Sequence, residues 1–109
     1  MKTCYIASPY TGQEEIGVQR QILIADTLIE AGIAPIAPLL FHYVHKQFPK
    51  DYDTWMEIDL ALLKKCDLLY RFPQPSKGAD IEELFANENG IKVYNSLDKL
   101  IKENGRLKK

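Results

Sequence analysis

The residues Asp67-Leu68-Leu69-Tyr70-Arg71-Phe72 form a short apolar run. A proline-bearing turn, Pro73-Gln74-Pro75, closes it, and Ser76-Lys77-Gly78-Ala79-Asp80-Ile81-Glu82-Glu83 follows. The run has the length and composition of a buried strand, and the segment from Asp80 onward continues through Leu84-Phe85-Ala86 as a helix. Strand, small-residue turn and helix start, in that order, is the junction at which an α/β sheet presents a ligand site. Ser76, Gly78 and Ala79 are small, so backbone N–H groups can approach an anion at the positive end of the helix. Glu82 lies about one turn inside that helix, where the same dipole is expected to keep its carboxylate ionised. That makes Glu82 a candidate reactive carboxylate. The same stretch also reads as an ordinary helix start, with Asp80 as N-cap and Glu83 three residues on.

The rest of the chain fits around this junction. Residues 4–7 are a β-type run stopped by Ser8-Pro9-Tyr10-Thr11-Gly12. Residues 13–31 have helical length and composition, with Gly32 as the stop. Val18, Ile22, Ala25 and Ile29 follow helical spacing there, and Ile24 and Leu28 widen the apolar face. Residues 33–38 read as a second strand whose two prolines suit a sheet edge. A helix is expected over 54–65, opened by Thr54 and Glu57 as a capping box. Further helices are expected over 80–89, closed by Gly90, and over 96–103, with a fourth strand at 91–94 between them. The pattern predicts one α/β domain over residues 1–109. Its fold is three-layer and Rossmann- or flavodoxin-like, a mostly parallel four-stranded sheet with flanking helices. Residues 104–109 read as a solvated basic tail.

Bulk properties exclude several classes. A formal charge of −1 provides no basic field for a nucleic-acid polymer or a membrane surface. No apolar run approaches the ~20 residues of a membrane span. The start of the chain has too short an apolar part for a signal peptide. Cys4 and Cys66 lack metal-ligand spacing and are expected to be free thiols in a reducing cytoplasm.

Two further segments carry candidate chemistry. On the helix expected at 54–65, Trp55, Met56, Ile58, Leu60, Leu62 and Leu63 form a broad apolar arc, and Asp59 falls inside it. A carboxylate on a buried face is paired, or its pKa rises. The readings stay open: a functional acid, a partner for a Lys or Arg, or a cap for a loop. Residues 39–53 are aromatic-rich and read as a partly helical loop over the sheet ends, placed to cover a ligand, though packing alone accounts for the aromatics equally. His42 and His45 have the spacing of two metal ligands on a helix, but no third ligand is near, and no metal is expected.

Taken together, Tyr5-Ile6-Ala7-Ser8-Pro9-Tyr10-Thr11-Gly12, Asp59, Asp67 and Pro75-Ser76-x-Gly78-x-x-x-Glu82 resemble the nucleoside 2-deoxyribosyltransferase superfamily. Within it they are most similar to the 2′-deoxynucleoside 5′-monophosphate N-glycosidases. The resemblance spans roughly residues 3–95. It implies Glu82 as the nucleophile of a glycosyl-enzyme, Asp59 as the proton donor near the base, and Tyr5 as the residue orienting the nucleophile. It implies Ser76 as a phosphate contact, and Gly78 and Ala79 as backbone donors. Ser8, Pro9 and Tyr10 from the first loop, with His42 and Trp55 from the aromatic segment, complete the implied substrate contacts. The implied substrate is a (deoxy)nucleoside 5′-monophosphate, cleaved or exchanged at its N-glycosidic bond with no metal or organic cofactor. A homodimer or larger homo-oligomer in the cytoplasm is expected, as is the alternative of a noncatalytic nucleotide or nucleotide-sugar binder on the same scaffold. The family's usual Glu-x-Gly-x-Ala has Leu84 as its third residue here, and Thr11 stands where an arginine or further polar residue is usual.

Overall fold

The computed structural model describes residues 1–106. Strands β1 (Thr3–Ala7), β2 (Ala34–Ile36), β3 (Leu68–Arg71) and β4 (Lys92–Tyr94) pair in the order β2-β1-β3-β4. All three pairings are parallel, with Tyr5 opposite Ile36 on one side and Leu69 on the other. The proline-bearing strand β2 lies at an edge, where a missing N–H breaks no ladder. Helices α1 (Glu14–Glu30), α2 (His42–Gln47), α3 (Tyr52–Leu63), α4 (Lys77–Glu88) and α5 (Leu97–Asn104) link and follow the strands. A 3₁₀ turn, Pro38–Phe41, precedes α2.

Alternation along the strands makes the three layers. Cys4, Ile6, Leu68 and Tyr70 meet Ile24 and Leu28 of α1 and Leu100 of α5 on one face. Tyr5, Ala7 and Leu69 meet Leu63 of α3 and Ala79 and Ala86 of α4 on the other. With both faces covered, the central strands are mostly apolar, as a parallel sheet requires, with Arg71 at the end of β3 as the exception. Gly32 and Gly90 end α1 and α4 with φ of +77° and +70°. Past each turn, Ile33 N–H reaches Leu28 O and Ile91 N–H reaches Ala86 O, both at 2.9 Å.

Several boundaries differ from those expected, each for a local reason. Asp51 caps α3 by accepting Thr54 N–H at 2.8 Å, so the helix begins at Tyr52 and not at Thr54. Ser76 caps α4 by accepting Ala79 N–H at 3.2 Å. Asp80 is therefore inside the first turn and not its cap. Ile22 and Ile29 are 40% and 56% exposed, contrary to the core face expected for them. The buried side of α1 carries Gly17, Val18, Gln21, Ile24 and Leu28 instead. Gln21 sets that rotation, because its amide is bonded to the end of β1 and to the chain beyond β2. Part of the expected tail is docked: Arg106 N–H donates to Ala31 O at 2.8 Å and its side chain lies against Gly32. The remainder of that tail, 107–109, falls outside the described residues. Among the described residues no helix is long and apolar enough to cross a membrane.

Candidate active site

The strand order reverses between β1 and β3, so the connections leaving these two strands diverge and open a crevice at their carboxyl ends. A cavity of about 580 Å³ occupies it. Three pieces of chain form its walls. Ser8, Pro9 and Tyr10 come from the loop after β1, and Ser76, Gly78, Ala79 and Glu82 from the start of α4. Tyr52, Trp55, Met56 and Asp59 come from α3. The last four stand at i, i+3, i+4 and i+7, one stripe down a helix. The apolar arc around Asp59 is thus partly a cavity wall and not wholly core. Its cavity-facing side carries Asp59 one helical turn beyond Trp55 and Met56.

Glu82 is buried, 6% exposed, and Tyr5 Oη donates to its Oε2. Burial pushes the Glu82 carboxyl up to about 8. The Tyr5 hydrogen bond and the Arg71 charge pull it down, while the Asp59 charge pushes it up. The expectation that the helix dipole keeps Glu82 ionised is corrected here: desolvation outweighs it. Asp59 is raised to about 7, by burial. Among the described residues it makes no ion pair, so the reading as a partner for Lys or Arg is set aside in favour of a perturbed acid. Tyr5 itself is fully buried between these groups; burial first, then the Glu82 and Asp59 charges, holds its phenol well above the usual value.

Polar groups at the other side of the cavity are arranged as donors. Ser76 Oγ accepts Ala79 N–H, and Ser8 Oγ accepts from Gln21 Nε2 at 3.0 Å. Each hydroxyl keeps its own proton free to donate. Ala79 N–H is spent on the cap, which leaves Lys77 and Gly78 with the unpaired N–H groups of the first turn. The Lys77 side chain adds a positive charge to this rim. The aromatic wall is fixed from behind. Trp55 stacks on Phe41 with centroids 5.5 Å apart and donates Nε1–H to His45 Nδ1 at 2.8 Å.

His42 stands one layer back. It borders a smaller hollow beside the cavity and holds Tyr10 through Nδ1 at 2.6 Å, with Nε2 on Glu15 at 3.3 Å. His42 and His45 therefore serve different partners, and no group of three His, Cys, Asp or Glu converges among the described residues. Two residues to which the sequence reading gave no role hold the site together. Gln21, fully buried, donates to Ile6 O at 2.9 Å and accepts Leu39 N–H at 3.1 Å. Its signal is a polar residue on the buried stripe of α1. Arg71, a lone cation in an apolar strand, bonds Asp80 at 2.8 Å and Glu83 at 3.3 Å.

Over residues 2–96 the chain matches the family described as a domain of unknown function, DUF7768. It belongs to that family. No curated protein matches this DUF7768 chain at a meaningful level. Among solved structures it is similar to the Clostridium botulinum CMP N-glycosidase BcmB, with a TM-score of 0.51 and 18% identity. The match covers 94% of this chain and 97% of that one. At that identity the likeness is one of fold: the layered parallel α/β architecture is common to both.

In this DUF7768 member the residues singled out from sequence gather as follows. Glu82, Asp59, Ser8, Pro9, Tyr10, Trp55, Ser76, Gly78 and Ala79 all line the one cavity. Tyr5 reaches it through Glu82, and His42 through Tyr10. Thr11 borders it too, while Leu84 is 59% exposed on the far side of α4.

Proposed function

We propose that this protein cleaves the N-glycosidic bond of a (deoxy)nucleoside 5′-monophosphate, and that it is related to the nucleoside 2-deoxyribosyltransferase superfamily. The observation that carries the reading is the pair of perturbed carboxyls, Glu82 and Asp59, in one cavity with Tyr5 bonded to Glu82. The motif resemblance and the activity of the structural neighbour, a CMP N-glycosidase, support it.

Glu82 attacks C1′ of the sugar while Asp59 protonates the departing base; water, or a second base, then resolves the glycosyl-enzyme with Asp59 taking the proton back. The phosphate sits against the Ser8 and Ser76 hydroxyls, the Lys77 and Gly78 N–H groups and the Lys77 ammonium, and the base lies along Tyr10 and Trp55. Proton placement follows from the coupled pair. Burial raises both carboxyls, Asp59 to about 7 and Glu82 to about 8, so around neutrality the pair holds a proton that neither would hold in water. The reactive arrangement puts it on Asp59, against the resting preference for Glu82.

One feature favours the second reading, a noncatalytic nucleotide binder: burial raises the Glu82 carboxyl to about 8 and so disfavours the ionised form a nucleophile needs. The two are separated by incubating wild type and Glu82→Ala with a panel of ribo- and deoxynucleoside monophosphates and measuring free base by chromatography. Release by wild type alone supports cleavage; binding by both without release supports the binder. The free thiols Cys4 and Cys66 fit a reducing cytoplasm, and the exposed Ile16, Leu23 and Phe48 fit a homo-oligomer.

A further inference from the structure

Arg71 ends β3 opposite Ala7, on the sheet face that α4 covers. It is 7% exposed and, among the described residues, is the only buried cation. It does not line the cavity. All three guanidinium nitrogens are engaged. Nε donates to Phe72 O at 3.2 Å and Nη2 to Gln74 O at 2.9 Å, both in the turn before α4. Nη1 donates to Asp80 at 2.8 Å and Glu83 at 3.3 Å, one turn apart on α4. Those two side chains are 70% and 33% exposed, so water alone would satisfy them. Ion pairs to such exposed partners add little stability, whereas burying the guanidinium carries a desolvation penalty. Stability is therefore a poor reason for this arrangement.

What the clamp does control is α4. It fixes the turn and one flank of the first two turns, and so the rotation of the helix about its axis. Glu82 lies between Asp80 and Glu83 in sequence but on the inward side, against Tyr5. We infer that Arg71 is a positioning residue for Glu82: its planar fork aims the carboxyl into the cavity, and its charge stands behind the group that must lose a proton. This rests on Glu82 being the reacting carboxyl of the proposed cleavage. The charged and titratable groups around Glu82 are Tyr5 from β1, Tyr52 and Asp59 from α3, and Arg71 from β3. Asp80 and Glu83 on α4 are spent on Arg71, and Lys77 lies at the exposed start of α4. Of these, Arg71 is the buried positive charge.

Arg71→Met, Arg71→Lys and the double variant Asp80→Asn/Glu83→Gln separate aim from charge. Two readouts are taken: carbon NMR titration of the Glu82 carboxyl in the free protein, and base-release kinetics against pH. In Arg71→Met the Glu82 titration moves up by about one pH unit and kcat falls roughly tenfold or more. Arg71→Lys keeps the charge but not the fork, so the titration stays near wild type while kcat falls. The double variant loosens the clamp alone and lowers kcat with KM little changed. An unchanged Glu82 titration and kcat in Arg71→Met overturns the inference, as does a loss that only tracks the unfolded fraction at the assay temperature. Should Arg71→Met fail to fold, the other two variants decide. Absence of base release by wild type overturns the cleavage; the titration then supports or overturns the positioning by itself.

Discussion

Replacing Glu82 by Gln should make the protein more stable while abolishing its chemistry. Gln has the shape of Glu, keeps an acceptor for Tyr5 Oη and carries no charge to desolvate. Glu82 titrates at about 8 in the folded chain, against 4.5 for the ordinary side chain. Between those values the folded chain holds a proton that the unfolded chain has released. Stability contributed by this group therefore falls as pH rises through that window, and the loss is complete above about 8. At 1.36 kcal/mol per pH unit, with rounding at both ends, the loss between pH 5 and pH 8 is roughly 3 kcal/mol. For a chain of about this size that is roughly 10 °C in Tm.

The assay is thermal melting of wild type and Glu82→Gln from pH 5 to pH 8.5 at fixed ionic strength. Wild type should lose Tm steadily across the range, and the variant should have a flatter profile and melt higher at pH 8. At pH 5, where wild-type Glu82 is protonated, the two should nearly coincide. A variant that melts no higher than wild type at pH 8, with the same slope, would show that Glu82 is not a buried proton holder. Base release by the variant would equally remove its assignment as nucleophile.

Other perturbations test separate parts of the site. Base release should follow a bell in pH with its maximum between the Asp59 and Glu82 values of about 7 and about 8, and a rate that climbs monotonically to pH 10 would contradict the shared proton. In Gly17→Ala the new Cβ would stand 2.6 Å from Pro9 O and 3.2 Å from Leu39 Cδ1, so the loop after β1 must shift; nucleotide affinity should drop with helix content by circular dichroism unchanged. Lys77→Ala should raise KM for a nucleoside monophosphate by about tenfold and leave the free nucleoside unaffected, and equal effects on both would place the phosphate elsewhere. Gln21→Leu removes bonds to Ile6, Ser8 and Leu39 from a buried amide and should lower stability by about 2 kcal/mol, read by urea titration.

The layered fold was readable because its determinants are local and repetitive. Short apolar runs in β1 and β3, glycine stops at Gly32 and Gly90, and prolines in β2 each specify one piece without help from the others. Asp59 was readable too, since a carboxylate inside an apolar arc is conspicuous at helical spacing. The rotation of α1 was not. Ile22 and Ile29 are as apolar as Ile24 and Leu28, and only the bonds made by Gln21 across the fold choose between the two stripes. Arg71 escaped notice for the same reason. Its partners are the turn it precedes and a helix start whose position depends on Ser76, not Asp80.

The protonation of Glu82 is where local reasoning reaches the wrong sign, and the magnitudes say why. A helix start stabilises a carboxylate by about 0.3–1 kcal/mol at an exposed position and ~2 kcal/mol at best. Taking the same carboxylate out of water costs several kcal/mol. Whether the second effect applies depends on what covers the side chain, and that cover comes from β1, α3 and β3, far apart in sequence. Nothing in the first turn of α4 reports it. The outcome also changes what ligand binding must accomplish. If Glu82 is the nucleophile of the proposed cleavage, a dipole-stabilised carboxylate would be ready to attack at rest, whereas the buried one has first to give up its proton, with Asp59 in the same cavity to receive it. Base nitrogens within reach of Asp59 would favour that transfer, by offering the proton a hydrogen-bond acceptor at the place where it is next needed.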